Sequence, residues 1–197
     1  AGQHEARRVL EISAAGGHHL LFVGPPGSGK SMLASRLAGL LPKLDNKRWQ
    51  EVCAVYHAHG SSNKLPSRFP PYRAPHHSIS VAGLVGGGKN PIPGEISLAH
   101  NGVLFLDELS EFRRDALESL REPLETQNVS IVRSMQHVNF PANVTLIAAM
   151  NPPDSTLHNR ALGMAKIRAK ISAPLLDRFD AQIWVPPVEF SDLVSKV

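Results

Sequence analysis

Residues 24–31 read GPPGSGKS, preceded by the apolar run HLLFVG and followed by KSMLASRLAGLL. This stretch fills every fixed position of the pattern G-x-x-x-x-G-K-[ST], and it lies between a strand-like run and a helix-like one, as the pattern requires. The glycines let backbone N–H groups curl around phosphates, and the helix N-terminus adds a partial positive charge. Gly24, Pro25, Pro26, Gly27, Ser28, Gly29, Lys30 and Ser31 are therefore candidate contacts to a nucleoside triphosphate. In such a loop Lys30 reaches the terminal phosphates and the Ser31 hydroxyl ligates Mg2+. A bare Gly/Pro turn between strand and helix would explain the glycines but not the complete pattern in that setting.

A chain with such a loop must place it at the edge of a sheet. Apolar runs at 19–24, 103–109 (VLFLDEL), 144–150 (VTLIAAM) and 181–185 (AQIWV) read as buried strands. Helical patterns alternate with them. Met32, Leu33, Leu37, Leu40 and Leu41 share helical spacing before Pro42 stops the helix, NKRWQEVCAVYHA (46–58) is helix-like, and RRDALESLREPLE (113–125) is amphipathic despite Pro123. VSIVR and HVNF, joined by Ser134, Met135 and Gln136, predict a β-hairpin. Strands alternating with helices predict an α/β fold with a parallel sheet covered on both faces.

The run VLFLDE ends in Asp107 and Glu108. An acid at a neighbouring strand end holds the Mg2+ of a bound triphosphate, here Asp107, and a second acid beside it, Glu108, can polarise an attacking water. The pair points to hydrolysis, because a kinase has no use for a water-activating glutamate. The run IAAMNP sets Asn151 at another strand's carboxyl edge, where α/β sheets bind ligands. Asn151 can bond the γ-phosphate or orient the water; taken alone it would serve equally as an Asn-Pro turn, and its neighbours favour the catalytic role.

Composition narrows the class further. The hydrophobic share of 42% and charged share of 19% suit one folded domain. No run approaches the ~20 apolar residues of a membrane span. Cys53 is the only cysteine, which excludes an internal disulfide and fits a cytoplasmic address. A net charge of +4 permits a polyanionic partner without requiring one. The opening AGQHEARRVLEI, without an initiator Met, reads as a domain excised from a longer protein.

Together the phosphate loop, LFLDE, the strand-end asparagine and PLLDRFD resemble an AAA+ ATPase. The likeness runs closer still. GGHHLLFVGPPGSGKSMLASRL, YRAPHHS, LVGGG, PGEISLAHNGVLFLDEL, LREPLE and IAAMNP resemble the magnesium-chelatase-related competence family (ComM type, similar to subunit I of magnesium chelatase), over almost the whole chain. The resemblance implies a P-loop NTPase core across residues 1–197, with a five-stranded parallel sheet between helices and a β-hairpin inserted before the strand that ends at Asn151. It implies ATP and Mg2+ as cofactors, with Ser31 and Asp107 on the metal. Full-length relatives add an N-terminal protease-like domain and a C-terminal helical lid, the latter absent here. They are thought to form hexameric rings that move branched DNA in recombination and natural transformation.

The same resemblance bears on Arg178, set in SAPLLDRFDAQI between Asp177 and Asp180. It implies an arginine that projects into the neighbouring subunit's nucleotide site and stabilises transferring charge there; the plainer alternative is that the two aspartates neutralise it. GQHEARRVLEI resembles the segment that caps the adenine in this superfamily, which makes Gly2 and Gln3 candidate contacts; from sequence alone it reads equally as a plain amphipathic helix. One departure stands out: relatives often carry cysteines after the strand-end asparagine, whereas NPPDSTLHNRALGMAKIRAK has none.

Weaker features remain. Lys89 on the LVGGGKNPIPGE insertion and Arg133 on the hairpin would touch a phosphate backbone if both insertions face a ring channel; otherwise they are solvated loop charges. The pairs His18-His19 and His76-His77, read as strand neighbours on opposite faces, do not suit one metal ion. Three functions follow: an ATP-driven DNA motor, the ATPase subunit of a metal-insertion enzyme working with a chelatase partner, and a non-hydrolysing switch, which Glu108 argues against.

Overall fold

The computed structural model describes residues 3–61, 66–133, 136–152 and 171–187. In chain order the elements are α1 (His4–Gly16), β1 (Leu20–Val23), α2 (Lys30–Leu40), α3 (Asn46–Ala58), β2 (Tyr72–Arg73), α4 (Val81–Val85), β3 (Gly86–Gly87), β4 (Ile92–Pro93), α5 (Glu95–Leu98), β5 (Gly102–Leu106), α6 (Arg114–Glu118), α7 (Arg121–Thr126), β6 (Asn128–Arg133), β7 (Gln136–Pro141), β8 (Val144–Met150), α8 (Ala173–Leu176) and β9 (Ala181–Trp184).

The four apolar runs are strands, and a fifth joins them. The sheet order is β2-β5-β8-β1-β9, and every neighbouring pair is parallel. The runs of β1, β5 and β8 are buried on both faces because alternate side chains feed different cores, whereas β9, at the sheet's edge, is only half-buried. Leu21 and Val23 of β1 join Leu104, Leu106, Leu146 and Met150 in the larger core, under Ile96, Leu120, Leu175 and Phe179. Leu20 and Phe22 join Val103, Phe105 and Ile147 in the smaller core, covered by Leu10 of α1 and Leu33 and Leu37 of α2.

Two expectations needed correction. Residues 113–125 do not form one helix: α6 stops at Glu118 and α7 restarts at Arg121. Pro123 lacks an N–H and its ring crowds the carbonyl four residues back, so it fits only the first turn of a new helix. The fifth strand, β2, spans two residues between prolines and was not among the predicted runs; Tyr72 and Arg73 pair with Val103 and Leu104.

The hairpin expected from VSIVR and HVNF forms, β6 against β7, with Arg133 opposite Gln136. Residues 134 and 135 and the Arg133 side chain lie outside the described part. The earlier insertion folds as a second short hairpin, β3 against β4, with exposed Lys89 in its turn. The two hairpins touch: a Cβ on Gly86, where φ is +104°, would lie 3.2 Å from Ile131 Cδ1 of β6 and 2.6 Å from the Ile92 carbonyl. The stretch 153–170, where relatives carry cysteines, lies outside the described residues.

Candidate active site

The loop leaves β1 through Gly24, which lies so close to the neighbouring chain that a Cβ would stand 2.1 Å from the Val185 carbonyl oxygen. Its N–H donates to Met150 O at 3.2 Å, which ties the loop's start to the end of β8. Gly27 and Gly29 take positive φ, +74° and +90°, turning the chain so that α2 begins at Lys30.

Lys30 is 7% exposed, and its ammonium donates to Gly24 O at 2.9 Å and Pro25 O at 2.8 Å. The side chain thus curls back along the inside of its own loop. Burial pushes its pKa below the usual lysine range, while the Asp107 carboxylate pulls it the other way. Incoming phosphate oxygens would replace the two carbonyls as acceptors and restore a full counter-charge.

Ser31 Oγ donates to Asp107 Oδ2 at 2.6 Å, joining the loop to the end of β5 although the two strands are not neighbours. The oxygens form a hard donor pair of the kind Mg2+ takes when it keeps several waters and binds substrate phosphates as well. Among the described residues no group of three or more His, Cys, Asp or Glu could hold a metal.

Glu108 follows in a left-handed conformation, φ +51°, with its N–H donating to Asp107 Oδ1 at 2.9 Å. Such a backbone is uncommon outside glycine and concentrates where function demands it. It sends the two carboxylates of consecutive residues different ways. Asp107 and Glu108 line a cavity of about 350 Å³ together with Pro26, Gly27, Lys30, Ser31 and Asn151. Asn151 is exposed there, at the end of β8, between the loop and the acid pair.

His77 is the residue that sequence reasoning missed. Its Nδ1 lies 3.3 Å from Glu108 Oε2. The two acids also border a second cavity of about 380 Å³, lined by Tyr72, His76, His77 and Phe105. Burial first, and Asp107 second, push the Tyr72 phenol up to about 12. The premise of opposite-facing histidines fails here: β2 has already ended, and the rings of His76 and His77 sit 4.0 Å apart. The signal was YRAPHHS itself, a proline-bounded run after a strand too short to be recognised.

Gln3 and Arg178 stand elsewhere. The Gln3 amide nitrogen donates to Pro186 O at 2.6 Å and to Ser28 O at 3.3 Å, strapping the chain's start to the phosphate loop. Gly2 lies outside the described residues. Arg178 is not among the residues lining the loop cavity. Its Nη2 donates to Glu125 Oε2 at 2.6 Å, so neither flanking aspartate is its acceptor there. Asp180 instead accepts the His19 N–H at 2.7 Å.

The strand interposed between β1 and β5 decides the class. It sets the loop and the acids on either side of Asn151, and all three line one cavity. A loop, an acid pair and a polar strand end in this order make the chain an ATP-binding hydrolase domain of the AAA+ class. Residues 1–193 match the family model described as magnesium chelatase, subunit ChlI, and the chain belongs to that family.

Relatives agree. The chain is 48% identical over 192 residues to "Uncharacterized protein YifB" of Escherichia coli K12, covering 94% of this chain and 38% of that protein. It is 50% identical over 192 residues to "Competence protein ComM" of Haemophilus influenzae, with the same coverage of 94% and 38%. The chain therefore spans well under half the length of these relatives. Among solved structures, NtrX from Brucella abortus in complex with ADP shares the fold, with a TM-score of 0.60 at 18% identity over 94% of this chain and 36% of that one.

Proposed function

We propose that this domain is the Mg2+-dependent ATP-hydrolysing core of a longer, ring-forming motor that acts on DNA, as in recombination or natural transformation. The observation that carries the hydrolytic part is the joining of Ser31 to Asp107 at 2.6 Å in a cavity that also holds Lys30, Glu108 and Asn151. Loop N–H groups and Lys30 bind the phosphates, and Glu108 takes the proton of the attacking water. Asn151 steadies the γ-phosphate. Ser31 and Asp107 would hold Mg2+, which would supply positive charge against the phosphate oxygens. Arg178 of a neighbouring copy adds positive charge to the same oxygens in a ring, a hexamer by the family resemblance. Gln3 sits close enough to the loop to help cap the base.

DNA as the substrate is supported by the competence protein among the relatives and by the two touching hairpins, one carrying exposed Lys89 on its turn. The second reading, the ATPase subunit of a metal-insertion complex with a chelatase-type partner, is favoured by the family description itself. No helix among the described residues is long and apolar enough to cross a membrane. The deciding experiment is an ATPase assay of the full-length protein with and without forked DNA. Stimulation by DNA supports the motor, whereas stimulation only by a chelatase partner overturns it. Lys89→Ala should weaken DNA binding and leave nucleotide affinity unchanged.

A further inference from the structure

Arg178 is anchored at its base and only partly free at its tip. Its neighbours Leu175 and Phe179 are buried in the larger core at 1% and 6% exposure, and its own N–H donates to Leu175 O. The Arg178 Nε is buried and finds no hydrogen-bond partner among the described residues. The guanidinium edge reaches Glu125 Oε2 at 2.6 Å, with the arginine side chain 34% and the glutamate side chain 64% exposed. Glu125 is steadied in turn. It belongs to α7, whose Leu124 packs on the same core and whose end is closed by Gln127 donating to Pro123 O.

Stability does not account for this arrangement. An ion pair with that much exposure contributes little to folding. A buried donor without an acceptor among the described residues adds nothing to stability there, and such sites are characteristic of places where function sets the geometry. A guanidinium has five N–H donors in one plane, so engaging one edge fixes the direction of the rest. The geometry points to Glu125 as a positioning residue: it holds the Arg178 guanidinium in the orientation that meets a triphosphate bound by a second copy of this chain. The inference rests on the proposal that Arg178 acts in trans.

The test uses the full-length protein and three variants, Arg178→Ala, Glu125→Ala and Glu125→Gln, with turnover, KM for ATP and melting temperature measured for each. Arg178→Ala should cut turnover by about 10³-fold or more. Glu125→Ala should cut kcat roughly ten-fold or more with KM unchanged, as misorientation of a reacting group does. Glu125→Gln keeps an acceptor oxygen at similar reach and should recover most of that loss. The double variant Arg178→Ala/Glu125→Ala should be no slower than Arg178→Ala alone, because the two residues act as one unit. Since Glu125 is on the surface, its variants should melt within a few degrees of the parent, and a lower kcat then reports on catalysis. Unchanged turnover in Arg178→Ala removes the trans reading itself. A collapse in Arg178→Ala beside a normal or faster Glu125→Ala, or an additive double variant, overturns the positioning role alone.

Discussion

His77 Nδ1 lies 3.3 Å from Glu108 Oε2, so an imidazole from a separate segment stands beside the carboxylate expected to polarise water. The pair is partly exposed, 32% on the histidine side and 52% on the glutamate side. Breaking it should free Glu108 at small energetic cost. His77→Ala is expected to raise basal ATP turnover roughly two- to five-fold, the scale of a weak exposed polar contact, without changing KM. Steady-state phosphate release measures it, and a rate that stays level or falls contradicts the pairing's influence.

Glu108→Gln keeps the size and the hydrogen-bonding reach of the side chain and removes its basicity. Turnover should drop by about 10²- to 10⁴-fold, the span of general acid–base catalysis, while a fluorescent ATP analogue binds as before. Residual turnover near the parent level would show that another group activates the water.

Ser31→Ala deletes the hydroxyl that donates to Asp107 at 2.6 Å. ATP binding in Mg2+ should weaken by roughly ten- to hundred-fold, as expected when a hydrogen bond or ligand to a charged partner is lost. The loss should shrink when EDTA replaces Mg2+, because only the metal-dependent part of binding is removed. Equal weakening with and without the metal would assign Ser31 to the phosphates instead.

Two histidines, His100 buried and His19 half-buried, make a pH prediction. His19 Nδ1 accepts the Leu146 N–H at 3.0 Å and His100 Nδ1 accepts the Asn143 N–H at 3.1 Å, which only a neutral ring can do. Burial lowers both pKa values below the ordinary 6.5; Asp180 opposes the shift at His19 and Glu51 at His100. The folded state therefore binds fewer protons than the unfolded one near and below that value. Their contribution to stability is fully present above 6.5 and is lost as pH falls through the folded values. Thermal melts from about pH 7.5 down to about pH 5 should show a falling melting temperature, and replacing His100 by Gln should flatten part of that slope. A melting temperature that holds steady or rises on acidification would be incompatible with neutral rings at these sites.

The parts of the site that were readable from sequence are those whose chemistry lies within a few consecutive residues. Gly24 to Ser31 declare a phosphate loop because backbone turn and side chains act together, and a doubly buried strand announces itself as an unbroken apolar run such as VTLIAAM. Even the limits of α3 matched, since Asp45 caps it by accepting the Arg48 N–H at 2.8 Å. What failed was distance and brevity. Tyr72 and Arg73 carry no strand pattern of their own; pairing with β5 makes them a strand. Arg178 was weighed against the aspartates beside it in sequence, yet the fold brings Glu125 to it from another helix. His77 was judged by strand alternation in a segment where no strand runs.

The brevity of β2 has a further consequence. With only two residues, this margin of the sheet shows almost no free row of N–H and C=O groups to a passing chain. A blunted margin resists the uncontrolled stacking to which long bare strands are prone. Any chain that met this flank would find almost no ladder to extend, so recognition there would fall to shape and to side chains.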